Sequence, residues 1–144
     1  MEIVQILKRK YEIAALKEMQ ACADWFVCKY LDPEVDITIS VDKRMSALCG
    51  ECYSYGKKSF DIYISGKLSY KETMITLCHE LWHCKQYYEG KLRDMGFGKT
   101  KWERKTYKDV AYSEQPWEID AHKMETQVLG FWKRTKIGKT FYQS

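Results

Sequence analysis

Apolar and polar positions along the chain alternate between a period near 3.6 and a period of 2, and each change of period marks an element. Residues 2–30 place Ile3, Ile6, Leu7, Ala14, Ala15, Trp25 and Phe26 at helical spacing and predict one long amphipathic helix or two in line. Leu31-Asp32-Pro33 ends that pattern, because Pro33 has no amide hydrogen and biases Asp32 away from the helical region. Residues 35–41 alternate strictly and predict a half-buried strand; residues 46–54 predict a second, with Gly50 as a bulge. Residues 55–58 form the turn into a third strand over 59–65, closed by Gly66. Ser69-Tyr70-Lys71-Glu72 then has the form of a capping box. Behind it Met74, Leu77, Cys78, Leu81 and Tyr88 make a helical stripe, and Gly90 suits a left-handed C-terminal cap.

Glycines 90, 96 and 98 break residues 91–115, where a short hairpin is expected from 99–104 with 107–112. Pro116 is suited to the first turn of a last helix, in which Trp117, Ala121, Met124, Val128 and Phe131 share one stripe. Glu118, His122 and Glu125 share the stripe beside it. Gly130 is a weak point where the regular part ends, and past Gly138 the tail is polar and basic, with no structure expected. The expected class is α+β: an N-terminal helix, a three-stranded mostly antiparallel sheet, the capped helix, a short hairpin and a C-terminal helix. All 144 residues form one expected domain, with a basic tail at about 133–144.

No apolar run approaches the length that crosses a bilayer, and residues 1–10 lack a signal peptide's apolar core and cleavage site. A cytoplasmic protein with no membrane partner, acting as a monomer, is the expectation. The six cysteines are then expected as reduced thiols. Cys49-Gly50-Glu51-Cys52 is a lone C-x-x-C, and Cys22 with Cys28 is wrongly spaced to complete a structural zinc site with it. The formal charge of +4 is unevenly spread, since residues 131–144 carry Lys133, Arg134, Lys136 and Lys139 and no acid. Residues 91–115 are also rich in Lys and Arg, with Trp102 and Tyr107 among them, but Glu103 and Asp109 interrupt the run. A solvated face accounts for both stretches; contact with nucleic acid is the alternative.

The chemistry concentrates in His79-Glu80-Leu81-Trp82-His83, an H-E-x-x-H pattern inside the capped helix. Residues four apart share a helix face, so His79 and His83 can turn their imidazoles to one metal ion. Glu80 is then placed to take a proton from water activated by that metal. Two histidines leave a catalytic site one protein ligand short. The chain has three histidines in all, so the remaining donors are carboxylates, cysteines and His122. Glu118 and His122 lie four apart on one face of the last helix, and either His₂Glu or His₃ suits zinc with an open position.

Pro116-Trp117-Glu118-Ile119-Asp120-Ala121, about 35 residues after the histidine pair, resembles the P-W-E-x-(E/D)-A segment of small zincins of the gluzincin type, many encoded by phages and bacteria. The order of elements is also similar to the core of the ImmA/IrrE-like peptidases, over roughly residues 35–130. The resemblance implies a zincin-like fold, a Zn²⁺ cofactor held by His79, His83 and Glu118, and Glu80 as general base. SprT-type proteases, by contrast, use a third histidine shortly after H-E-x-x-H, and none occurs here between His83 and His122. Larger gluzincins often carry an acid four residues after the ligand glutamate. Here that place is His122, which leaves the partner that orients a ligand imidazole unidentified.

The expected activity is therefore zinc-dependent hydrolysis of a peptide bond in a protein or peptide substrate. Tyr112 is the candidate donor to the oxyanion, with Tyr107 and His122 behind it. A substrate strand is expected along residues 59–65, which lead into the metal-binding helix. The alternatives are a non-catalytic zincin-fold module that binds protein or nucleic acid, and a structural zinc site closed by Glu118 and His122 together.

Overall fold

The computed structural model describes residues 4–6, 13–42 and 49–143, with side chains from residue 15 onward. Its class is α+β. Strand β1 (Val4–Ile6) precedes helix α1 (Ile13–Tyr30), and strands β2 (Asp36–Asp42), β3 (Gly50–Ser54) and β4 (Ser59–Ser65) come next. Helix α2 (Tyr70–Tyr88) carries the H-E-x-x-H pattern. A second sheet is formed by β5 (Leu92–Gly96), β6 (Lys99–Trp102) and β7 (Lys105–Lys108), and a 3-10 turn at Tyr112–Glu114 leads into α3 (Pro116–Arg134) and α4 (Lys136–Thr140).

The main sheet runs β1-β2-β4-β3, in which β1, β2 and β4 are parallel and only β3 is antiparallel to its neighbour. This corrects the expected three-stranded, mostly antiparallel meander. The physical reason is burial. Ile37, Ile39 and Val41 of β2 and Phe60, Ile62 and Ile64 of β4 are all sealed on one face, so these two strands take the interior and pair directly. β3, with Gly50, Glu51 and Ser54 among its five residues, goes to the edge, where polar strands are tolerated. The strand expected to receive substrate, residues 59–65, is therefore interior, with β2 on one side and β3 on the other. β3 is the edge strand beside it.

The expected helix over residues 2–30 also changes. Val4–Ile6 pairs with Ile37–Ile39 as a strand, since β-branched residues fit a pleated surface, and the helix begins at Ile13. Residues 43–48, part of the expected strand 46–54, lie outside the described residues. Gly50 is no bulge: it pairs in register with Ile64.

One layer of helices covers the apolar face of the sheet. From α1, Met19, Cys22, Phe26 and Val27 are buried at spacings of three and four. From α2, Met74, Leu77, Cys78 and Leu81 join them, and from α3, Val128, Leu129 and Trp132. Phe131, expected on the buried stripe, is 38% exposed, because the helix continues through Gly130 at 3.6 residues per turn and brings Leu129 and Trp132 inward instead. The tail past Gly138 is not structureless: α4 is capped by Thr135 Oγ1, and Phe141 packs on Trp132.

Behind the site, Glu18 of α1 is fully buried and accepts from Tyr70 Oη at 2.6 Å and Trp132 Nε1 at 2.8 Å, while Tyr142 also bonds to it. One carboxylate thereby ties α1, α2, α3 and the C-terminal segment together. The hairpin expected at 99–104 and 107–112 is the β6–β7 pair at Lys99–Trp102 and Lys105–Lys108, extended by β5 into three strands. Among the described residues no helix is long and apolar enough to cross a membrane.

Candidate metal centre

The capping box fixes where α2 starts. Ser69 accepts from the Glu72 amide at 3.2 Å, and Glu72 accepts from the Ser69 amide at 3.1 Å. The far end stops at Gly90, whose φ of +77° gives the left-handed cap. Between those ends His79, Glu80 and His83 are buried, on the side of α2 against which α3 packs. Pro116 opens α3 and puts Glu118 in its first turn, directed at the two histidines.

His79 Nε2 lies 2.9 Å from Glu118 Oε1, and His83 Nε2 lies 3.0 Å from Glu118 Oε2. The second contact is not in line for a hydrogen bond, so the buried Nε2 of His83 has no hydrogen-bond partner. Its protonation is set by the neighbouring network. Gln86 Nε2 donates to Trp117 O at 3.0 Å and to Asp120 Oδ2 at 2.9 Å, both acceptors only, so Gln86 Oε1 is the atom facing His83 Nδ1 at 2.7 Å. Nδ1 of His83 is therefore the donor, and the Nε2 of a neutral ring is a bare lone pair aimed at a carboxylate oxygen. His79 meets a carboxylate oxygen on each side, Glu125 Oε1 at 3.0 Å from Nδ1 and Glu118 Oε1 at 2.9 Å from Nε2. Two imidazole nitrogens and a carboxylate converging on one point suit a cation. These residues fit the metal that the sequence pattern implies.

Burial would raise the Glu118 pKa, but the contacts with His79 and His83 outweigh it and hold the carboxylate well below its usual range. Burial would lower the His79 pKa, but the Glu118 and Glu125 carboxylates outweigh it and hold it above the ordinary histidine value. For Glu80, burial pushes the carboxyl up to about 7; His83 opposes that, and the Glu118, Glu51 and Glu125 charges add to it. Glu80 is thus a proton acceptor poised near neutrality in the absence of a cation.

Gly50 belongs to this site. A Cβ there would sit 2.7 Å from Thr76 Cγ2, 3.1 Å from Glu80 Oε2 and 3.1 Å from Tyr63 O. β3 can approach the Glu80 carboxylate this closely because position 50 has no side chain.

Tyr112 Oη donates to Glu118 Oε1 at 2.9 Å and lies 2.8 Å from His122 Nε2. Burial and the Glu118 charge push its hydroxyl pKa up, so it stays a donor. His122 is more than half exposed, and its Nδ1 lies 2.8 Å from Glu125 Oε1. Among the described residues, suitably spaced ligand atoms occur in two sets, His79 with His83 and Glu118, and His79 with His122 and Glu125; His122 does not join the first. Tyr107, the other expected donor, packs edge-on against Trp117 with ring centroids 5.6 Å apart.

Cys49 is exposed, while Cys52 turns in to lie 3.7 Å from Cys84 Sγ, so the C-x-x-C pair does not act as a unit. Gln86, Asp120 and Glu125 had no assigned role in the sequence. A signal existed for two of them: Gln86 is three residues after His83, and Glu125 is two turns after Glu118 on the same stripe.

A cleft of about 580 Å³ opens on the centre, lined by Gly50, Cys52, Glu80, His83, Tyr112 and Trp117. It runs along the outer edge of β3. No family model matches the chain, and neither does any curated protein or solved structure.

Proposed function

We propose that the chain is a zinc-dependent metallopeptidase of the zincin type, cutting extended peptides that lie along β3. The observation that carries this reading is the convergence of His79 Nε2, His83 Nε2 and both oxygens of Glu118, with the His83 tautomer set by Gln86 so that its Nε2 faces inward without a proton. Two imidazoles and a carboxylate are a zinc donor set with room for substrate. Zinc bound there supplies Lewis acidity toward a peptide carbonyl and acidifies water toward neutrality.

The remaining work falls to the chain's own groups. The buried Glu80 carboxylate takes the proton of the attacking water and returns it to the leaving amine nitrogen. Tyr112 Oη, which lines the cleft and is held protonated, turns from Glu118 to the carbonyl oxygen as negative charge develops there. Gln86 and Glu125 hold the imidazoles in place.

The β3–β4 register supports an extended substrate. Tyr55 N donates to Ser59 O at 2.9 Å and Ser65 N donates to Cys49 O at 2.9 Å, so odd-numbered residues of β3 direct their backbone groups at β4. Those of Gly50, Cys52 and Ser54 point away from β4 along its outer edge, where Gly50 and Cys52 line the cleft, ready to pair with an added strand.

Metal analysis combined with peptide hydrolysis tests this. Wild type and His122→Ala should each hold one zinc, and Glu118→Ala should lose it. Glu80→Gln should keep zinc and lose hydrolysis. Zinc lost in His122→Ala alone would overturn the ligand set, and hydrolysis surviving in Glu80→Gln would overturn the mechanism. Zinc without hydrolysis of any peptide would favour a binding module.

A further inference from the structure

The side chains of β3 divide between two faces. Cys52 lies 3.7 Å from Cys84 of α2, and a Cβ on Gly50 would meet Thr76 and Glu80 of α2, so positions 50 and 52 face the helix layer. Glu51 and Tyr53 must then lie on the opposite face. There Tyr53 Oη donates to Glu51 Oε2 at 2.7 Å, and the Tyr53 ring meets that of Tyr63 edge-on at 5.7 Å. Tyr55 Oη donates to Asp61 Oδ2 at 3.0 Å. Register places Glu51 opposite Tyr63 and Tyr53 opposite Asp61. Tyr53 and Tyr55 are 47% and 65% exposed, too much for core residues. Glu51, Tyr53, Tyr55 and Tyr63 line a shallow hollow of about 320 Å³, and no Lys or Arg is among the described residues that line it. Glu51 is the acidic side chain of that lining, in a chain with a formal charge of +4.

The hollow is continuous with the substrate cleft, because Glu51 and Tyr53 border both. A peptide paired with the outward-facing backbone groups of Gly50, Cys52 and Ser54 alternates its own side chains. Residues opposite Gly50 and Cys52 point to the metal side; those opposite Glu51 and Tyr53 point to the outer face, with Cβ atoms about 5 Å from their partners. We propose that Glu51, Tyr53, Tyr55 and Tyr63 form a subsite for a lysine or arginine side chain of a peptide bound along β3. The carboxylate answers the positive charge and the phenol rings offer their faces to it and to its alkyl stem. A glutamate at that position would face Glu51 across the strand pair and be repelled; an uncharged alkyl chain would gain the rings alone.

The inference rests on the peptide-binding reading of the cleft, but its test does not require catalysis. Short fluorescent β-prone peptides with one lysine, norleucine or glutamate moved along the sequence are titrated into Glu80→Gln protein with zinc, followed by anisotropy. Lysine should bind about tenfold more tightly than norleucine, at alternate positions only, as a cross-strand ion pair plus a cation–π contact would give. Glutamate should bind more weakly than norleucine. Glu51→Gln should erase the lysine preference and leave norleucine affinity unchanged, and Tyr53→Ala should weaken both peptides. Equal binding of lysine and norleucine, a preference that survives in Glu51→Gln, or no binding of any peptide would overturn the subsite. Cleavage of the same peptides by wild type is read separately. A lysine preference without cleavage would sink the peptidase reading and leave the subsite standing.

Discussion

Glu125 lies two helical turns beyond Glu118, and its Oε1 sits 3.0 Å from His79 Nδ1, on the side of the ring away from Glu118. One face of α3 thus supplies both a candidate ligand and the group that orients another. The same duty toward His83 falls to Gln86 of α2, whose amide is fixed in turn by Asp120 and the Trp117 carbonyl. Asp120 also accepts from Trp82 Nε1 at 2.7 Å, so the supporting layer joins α2 to α3.

Removing either orienting group should weaken metal binding while leaving the ligands in place. Glu125→Ala and Gln86→Ala are each expected to lower zinc affinity by about 10- to 100-fold. Competition with a chromophoric chelator measures this. Unchanged affinity in both variants would mean that the imidazoles are held by packing alone.

Gly50→Ala should injure catalysis more than metal binding. The added methyl meets Thr76 Cγ2 and the Glu80 carboxylate, and such overpacking costs about 1–3 kcal/mol. A drop in kcat with zinc content intact is the expected result. Thr76→Ser, which removes Cγ2, should restore part of the loss in the double variant.

Glu18→Ala would take from the buried Trp132 Nε1 its acceptor and from Tyr70 Oη one of its contacts. Leaving a buried donor unsatisfied costs about 1–3 kcal/mol. Urea denaturation should show that loss. The side-chain contacts of His79 and His83 do not involve Glu18, so zinc stoichiometry of the folded fraction should not change.

Asp32 offers a test by pH. The Tyr88 hydroxyl at 2.8 Å, the Glu34 amide and Lys58 hold its carboxyl below the usual aspartate value. A depressed folded pKa stabilises the fold above the unfolded value of about 3.9, and that stabilisation is lost as pH falls through the folded pKa. Tyr88→Phe should therefore lower Tm at neutral pH. The gap from wild type should close in acid, below the ordinary aspartate range.

Local signals were readable from the sequence and long-range pairing was not. The capping box at Ser69 and Glu72, the left-handed Gly90 and the proline opening α3 each depend on a few neighbouring residues, and each forms as its residues predict. The pairing of β2 with β4 depends on which strands bury the most, a comparison across the chain that alternation within one strand does not encode. Val4–Ile6 shares a helical pattern with Leu7, Ala14 and Ala15, yet an open strand edge beside Ile37–Ile39 claims it. At the centre, H-E-x-x-H identified the side chains on α2. Gln86 and Glu125 were invisible as partners because their roles depend on which ring nitrogen faces which helix. Gly50 has the sequence signature of a bulge because its close approach to Glu80 is a contact between elements.

The three converging ligands are split between α2 and α3, with the whole β5–β7 sheet between them in the chain. A chain leaving the ribosome presents His79 and His83 together, but Glu118 arrives 39 residues after His79. It takes its place only when α3 docks, an event that Trp132 and Glu18 secure from 114 residues apart. A zinc ion held by all three would thereby make metal capture and the last step of folding one equilibrium: free zinc would drive docking by mass action, and chelation should loosen the C-terminal third of the protein first.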